Sequence, residues 1–376
     1  MEVEQAVREM KKAGIRNFTG VPDSTLKPFC DYLNSGMDSG LKHYVTADEG
    51  GALALAIGTF LGGGGVSCVY MQNSGIGNIV NPFTSLASKD IYEIPVLFLI
   101  GWRGEPGEKD EPQHKFMGEI TESLLSVLGI GSVIADRNTT EEMWKKMLAD
   151  AGKQFAQNRP YAILIKKGTF DSVQYGKYEN NYSLNREEAI RMILKGAGQE
   201  ETVIVSTTGK ISREVYEQSD SLYGNHDHTF LTVGGMGYAS MIACGIAQSQ
   251  PDKKVYCLDG DGAALMHMGN LVFLGREKIS GYIHICLNNH AHESVGGMPT
   301  PCGKMSFSTV AQECGYQYAA EVRTKAELAC ELEKLKERRG PVFLEVKVSL
   351  ESRENLGRPK ESPVENKKRF MKKITG

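Results

Sequence analysis

The sequence predicts an α/β protein of two tandem domains, each a parallel sheet flanked by helices. Three observations carry this. Apolar runs of strand length alternate with stretches of helix length along almost the whole chain. The alternation breaks once, near residues 170–200, where the text turns polar and irregular. The length of 376 residues also exceeds what one hydrophobic core ordinarily organises.

The elements follow in order. "MEVEQAVREMKKAG" predicts a helix over about 2–13, "IRNFTGVP" a strand and turn, the text after Asp23 a helix, and "KHYVTA" a strand. "EGGALALAIGTFLGG" is a small-residue helix, followed by the strand "VSCVYMQ", a glycine turn and a helix from Ser74, and the strand "IPVLFLIG". A helix near 118–129, the strand "GSVIAD", a helix at 140–156 and the strand "YAILIKKG" complete a first domain at 1–175. Residues 176–200 are expected to form a linker that contains one helix, "REEAIRMILKGAG". The second domain, 201–376, repeats the grammar. It runs from the strand "TVIVSTTG" and helix "KISREVYEQ" through "HTFLTVGG", "YASMIACGIAQSQ", "KVYCLDGDG", the helix "AALMHMGNLVFLG" and "GYIHICLNN" to "PVFLEVKVS". The basic tail "RPKESPVENKKRFMKKITG" reads as a solvated terminal segment.

Composition narrows the function classes. A net charge of -3 gives no support to a nucleic-acid partner, which leaves a basic footprint. No apolar run reaches the ~18 residues that span a bilayer, and the acidic, amphipathic N-terminus lacks the layout of a signal peptide. The eight cysteines are scattered, with no CxxC pair, and read as reduced core residues of a cytoplasmic protein. Nothing among them resembles an iron–sulfur ligand pattern.

The stretch "LDGDGAALMHMGN" ends an apolar strand in two aspartates with no lysine or arginine nearby. Ligands of doubly wound sheets bind beyond the carboxyl ends of the strands, and Gly260, Asp261 and Gly262 lie at such an end. The next strand ends in Asn288 and Asn289, 25 residues (263–287) further on, enough for one helix and one return strand. A carboxylate and an amide oxygen at one sheet edge suit a magnesium ion that also holds phosphate oxygens. An EF-hand starting at Asp259 fails, with Ala264 at its sixth position and Asn270 at its twelfth, and "GDGAAL" lacks the dinucleotide spacing.

Gly260-Asp261-Gly262 followed by Asn288-Asn289 resembles the cofactor signature of thiamine-diphosphate enzymes. The resemblance implies two thiamine-diphosphate-binding domains, pyrimidine-binding then diphosphate-binding. It implies Mg2+ on Asp261, Asn289 and the Ala291 carbonyl, and Gly262 and Ala263 N–H groups on the diphosphate. In "VGGMG", Met236 would bend the cofactor and the Gly234 carbonyl would hold its amino group; "STTGK" contributes Thr208 to the cofactor site. "TADEGGALALAIG" resembles the segment that carries the family's catalytic glutamate, here Glu49, against the aminopyrimidine ring. An unpaired acid beside "GGALALA" is poorly explained as solvated surface.

Only about thirty residues separate the two domains, a plan similar to the short 2-oxo acid decarboxylases acting on 3-phosphonopyruvate and sulfopyruvate. "GVPDS", "WRGEPGEKDEPQH", "STTGKISRE" and "NNHAHESVGG" look like the phosphonopyruvate branch. His290 and Met298 depart from it, where glycine and glutamine are expected. The implied reaction is loss of CO2 from 3-phosphonopyruvate to give phosphonoacetaldehyde, as in phosphonate biosynthesis. Arg103, Lys109, Lys210 and Arg213 are candidate cations for the phosphonate, and Asp23 and Ser24 sit in a motif loop facing the substrate. His114 or His292 could relay the proton that replaces CO2. In this family the cofactor lies between subunits, so a homo-oligomer of at least two chains is implied. A non-catalytic, cofactor-binding protein is the alternative of another class. His226, His228, His267 and His284 read as structural.

Overall fold

The computed structural model describes residues 1–171 and 178–376. They form two compact units, Met1–Lys177 with Val295–Pro301, and Tyr178–Ser294 with Cys302–Gly376. The expected boundary at 175–176 lies outside the described residues.

The first unit is a six-stranded parallel sheet made of β1 (Asn17–Gly20), β2 (Lys42–Val45), β3 (Ser67–Gln72), β4 (Leu97–Gly101), β5 (Gly131–Ala135) and β6 (Tyr161–Ile165). Their spatial order is β2-β1-β3-β4-β6-β5. Strand alternation sends successive side chains to opposite faces. Leu97 and Leu99 of β4 thus join a core with Phe18, Phe29 and Trp144, while Phe98 and Ile100 join Leu53, Ile76 and Phe83 on the other side. Both faces are covered by helices, which is why β4 is apolar throughout.

The second unit repeats the plan with β7 (Thr202–Ser206), β8 (Thr229–Leu231), β9 (Lys254–Gly260), β10 (Tyr282–Asn288) and the later strands Tyr318–Val322 and Val342–Lys347. From β8 inward the order is β8-β7-β9-β10, then Val342–Lys347, then Tyr318–Val322. Numbered within its own unit, this is again 2-1-3-4-6-5. Both sheets therefore reverse direction at the same place, between their first and third strands, where a crevice opens at the carboxyl ends.

Three expectations are corrected. The helix Arg186–Ala197, assigned to a linker, is part of the second unit's core: Ile190, Ile193 and Leu194 are fully buried with Ile204 and Leu332. Asn185 caps it, accepting from the Glu187 and Glu188 N–H groups. The basic tail is not merely solvated; Ser362 and Glu365 form a reciprocal cap that starts the helix Pro363–Thr375. Its Phe370 packs 5.5 Å from Phe230, and Asn366 bonds the Leu231 N–H and the Thr229 carbonyl, satisfying the open edge of β8. The single helix expected after Gly262 is two, Asp261–Met266 and Asn270–Glu277, parted at His267.

None of the eight cysteines is in a disulfide, and six are buried; Cys314 is partly buried against the second unit's core, and Cys330 is exposed, so it is not a core residue. Among the described residues no helix is long and apolar enough to cross a membrane.

Candidate active site

In the second unit the crevice between β7 and β9 holds a pocket lined by Thr207, Thr208 and Lys210 after β7 and by Gly260, Asp261, Gly262 and Ala263 after β9. Asn289, Ala291, His292 and Glu293 after β10 close one side, Met236 another. Register explains the meeting of the two motifs: Leu287 pairs with Gly260, so Asp261 and Asn289 stand at neighbouring strand tips. Asp261 and Asn289 are each 3% exposed. The Asn289 carbonyl Oδ1 accepts from the Ala291 N–H at 3.0 Å, and its Nδ2 donates to Glu293 at 2.8 Å. Beneath them Asp259 Oδ1 accepts the Gly260 N–H at 2.9 Å, and its Oδ2 lies 3.3 Å from His284 Nε2.

These residues fit a divalent cation carrying a diphosphate. The donors are hard oxygens, as Mg2+ requires. Gly262 keeps a cradle open: a Cβ there would lie 2.9 Å from His292 Cε1 and 3.2 Å from Met236 Cε. His292 Nε2 is buried without a partner among the described residues, an orphaned polar atom of the kind a ligand satisfies. Burial lowers the His292 pKa to about 4, so its ring is neutral at pH 7.

His290, where glycine was expected, occupies the left-handed region at φ 58°. Its ring is held in return: it stacks on Tyr182 at 5.9 Å, Tyr182 Oη lies 3.1 Å from Nε2, and Cys302 Sγ lies 3.3 Å from Nδ1. Cys302 Sγ in turn donates toward Asp261 Oδ2 at 3.9 Å.

Lys210 lines this pocket but is engaged with Glu293 at 3.1 Å and Ser352 Oγ at 2.6 Å. Arg213 follows half-buried in the first turn of the same helix. Thr208 donates to the Val233 carbonyl at 2.8 Å, tying the β7 tip to the glycine-rich turn that holds Gly234 and Met236. Sequence reasoning missed Arg186 and Glu293. Arg186 sits where a linker was expected, and only its place before an apolar helix marks it; Glu293 was visible as the acid following the Asn289 motif.

In the first unit the corresponding crevice gathers the other expected residues around the turn Gln72–Gly75 after β3, which the sequence marks only as a glycine turn. Gln72 Nε2 donates to Asp23 Oδ2 at 2.8 Å, and Asp23 Oδ1 accepts from the Thr25 and Leu26 N–H groups, so this fully buried aspartate shapes the loop. Asn73 binds the Arg103 carbonyl at 2.8 Å. Arg103 donates to Ser24 Oγ at 2.8 Å and forks onto Asp110, which also meets His114 Nδ1 at 3.0 Å. Burial alone would raise the Asp110 pKa, but the Arg103 and His114 bonds outweigh it and hold the carboxyl well below its usual range. His114 lies in the first turn of the helix Pro112–Val127, which starts earlier than expected because Pro112 occupies its N1 position. Lys109 is exposed.

Glu49 opens the helix Glu49–Leu61, capped by Asp48, and is 5% exposed. It is not unpaired: Asn78 Nδ2 donates to its Oε2 at 2.7 Å. Burial raises its pKa, with the Asn78 bond opposing. Its room comes from Gly75, where a Cβ would lie 2.5 Å from Oε1.

Residues 1–125 match the family described as thiamine pyrophosphate enzyme, N-terminal TPP binding domain, and residues 208–346 match its C-terminal TPP binding domain. The chain belongs to the thiamine pyrophosphate enzymes, and it is a decarboxylase. It is 33% identical to a phosphonopyruvate decarboxylase of Streptomyces viridochromogenes over 96% of this chain and 92% of that protein. A phosphonopyruvate decarboxylase of Streptomyces hygroscopicus is 32% identical over 96% of this chain and 91% of its own length. A sulfopyruvate decarboxylase of Methanosarcina acetivorans is 25% identical over 99% of this chain and 97% of its own.

Proposed function

We propose that this chain, loaded with thiamine diphosphate and Mg2+, decarboxylates 3-phosphonopyruvate to phosphonoacetaldehyde and CO2. The observation that carries this reading is the near full-length likeness to two phosphonopyruvate decarboxylases, joined to a hard-oxygen donor pair at the β9 and β10 tips. The lower identity to the sulfopyruvate enzyme makes a sulfonate substrate the second reading.

Loss of CO2 from a 2-oxo acid leaves an electron pair without an acceptor, and the thiazolium ring of the cofactor supplies that sink when bound. In this reading the Asp261 and Asn289 side chains and the Ala291 carbonyl hold the cation. The Gly262 and Ala263 N–H groups would meet the diphosphate, and Gly234 and Met236 would hold the rings. Glu49 holds a proton against the aminopyrimidine ring; a carboxyl whose burial raises its pKa is suited to both giving and taking one. Of the two histidines, His114 is favoured as donor of the proton that replaces CO2, because Asp110 anchors its Nδ1 at 3.0 Å and so fixes the ring. Arg103 and Ser24 adjoin it on the same network and are the residues proposed for the phosphonate, which would have to share Arg103 with Asp110. Lys210 is not assigned to the substrate, since Glu293 and Ser352 occupy it.

Glu49 and the diphosphate site are taken to come from different subunits of a homo-oligomer, and cysteines that form no disulfide accord with a reducing, cytoplasmic setting. The test is turnover of 3-phosphonopyruvate and 3-sulfopyruvate side by side, with thiamine diphosphate and Mg2+, following CO2 and aldehyde. Release of CO2 from neither acid defeats the proposal; faster release from the sulfonate transfers it to the second reading. Unchanged turnover by Glu49→Gln would revive the non-catalytic alternative.

A further inference from the structure

An asparagine is an ambiguous metal ligand, because its two ends are nearly the same shape and only the carbonyl end can meet a cation. Something must decide which end faces the ion. In this chain Glu293, four residues further along the same loop, receives the Asn289 Nδ2 at 2.8 Å. A carboxylate offers acceptors only. It therefore selects the amino end of the amide and turns Oδ1 toward the side of Ala291, whose N–H it meets at 3.0 Å.

Glu293 is itself held. Arg186 Nη1 donates to its Oε2, and Lys210 Nζ donates to Oε1 at 3.1 Å. Arg186 is 3% exposed, and its remaining edge forks onto the buried Glu214, Nε to Oε2 at 2.8 Å and Nη2 to Oε1 at 2.7 Å. A planar guanidinium gripped on two edges leaves Glu293 little freedom.

We propose that Glu293, braced by Arg186 and Lys210, is a positioning residue that orients the Asn289 amide so that its oxygen faces the divalent cation. The proposal rests on the reading of Asn289 as a cation ligand. Outer partners of metal ligands typically contribute 10–100-fold in affinity.

The test is Mn2+ binding to the full-length protein with saturating thiamine diphosphate, following free Mn2+ by electron paramagnetic resonance. The metal-free melting temperature is recorded alongside. Glu293→Ala should weaken Mn2+ binding about 10–100-fold. An aspartate has no wrong end to present, so in an Asn289→Asp background the same Glu293→Ala change should cause a much smaller loss. An equal loss in both backgrounds would show a merely structural role and overturn the proposal, as would wild-type affinity in Glu293→Ala alone. Should wild-type protein bind no Mn2+, the reading of Asn289 fails and takes the proposal with it. If Glu293→Ala does not fold, Glu293→Gln carries the same two-background comparison, its amide able to present either end.

Discussion

Gly75→Ala is a one-methyl perturbation aimed at Glu49. Gly75 has helical dihedrals, φ -68° and ψ -14°, so alanine suits the backbone and should by itself add roughly 0.4–1 kcal/mol of stability. The difficulty is space. The new Cβ would lie 2.5 Å from Glu49 Oε1 and 2.7 Å from both Cδ and Cγ, where ordinary contact begins near 3.4 Å. The whole carboxyl end, and not just its tip, must retreat by roughly 1 Å, and it cannot do so freely because Asn78 holds Oε2. Overpacking of this kind costs about 1–3 kcal/mol, so the net stability change is about 0–3 kcal/mol and the protein stays folded. A positioned group displaced by about 1 Å loses on the order of 10²-fold in rate, equivalent to about 2.7 kcal/mol of barrier. The matched control is Gly77→Ala, two residues on in the same helical run, where a Cβ meets nothing within 4 Å. Steady-state release of CO2 from 3-phosphonopyruvate at saturating cofactor, with melting temperatures alongside, is the assay. A folded Gly75→Ala enzyme turning over within about twofold of wild type would refute the assignment of Glu49, since an essential acid cannot be moved that far unnoticed.

Two further outcomes concern stability. His228 is 1% exposed with Nε2 unpartnered among the described residues, and burial, aided by the Lys373 charge, lowers its pKa from 6.5 to about 4. The unfolded chain thus binds the extra proton between these values, so stability is constant above pH 6.5 and falls as pH drops toward 4. The loss attributable to this group is about 2 kcal/mol at pH 5; denaturant titrations at pH 7 and 5 should show His228→Gln losing that much less, and identical slopes would count against it. Phe370→Ala should cost about 3–5 kcal/mol by removing a core aromatic, measured by thermal unfolding; a melting temperature unchanged by this substitution would mean the C-terminal helix does not dock as described.

What was legible in the chain was whatever depends on local spacing. Strand and helix periodicity declared two α/β units, and the interval from Gly262 to Asn288 placed two motifs at one sheet edge because a helix and a return strand have definite lengths. The buried acid at Glu49 and the aspartate at Asp261 announced themselves by standing among small and apolar residues.

Partnerships across sequence distance were not legible. Arg186 looked like linker because nothing nearby shows that Glu214 and Glu293, 28 and 107 residues away, will enclose it. Gln72 and Asn73 looked like an ordinary turn until β1, β3 and β4 brought Asp23 and Arg103 beside them. The tail looked solvated because its charge outweighs its single anchoring ring in composition, although Phe370 has Phe230 to pack against in the fold. The sequence alone determined the chemistry on offer, since side-chain type and strand-tip spacing are local properties. Tertiary structure decided which groups are spent holding one another and which are left to meet a ligand, since hydrogen-bond partners are chosen by proximity in space and burial makes each choice costly to leave unmade.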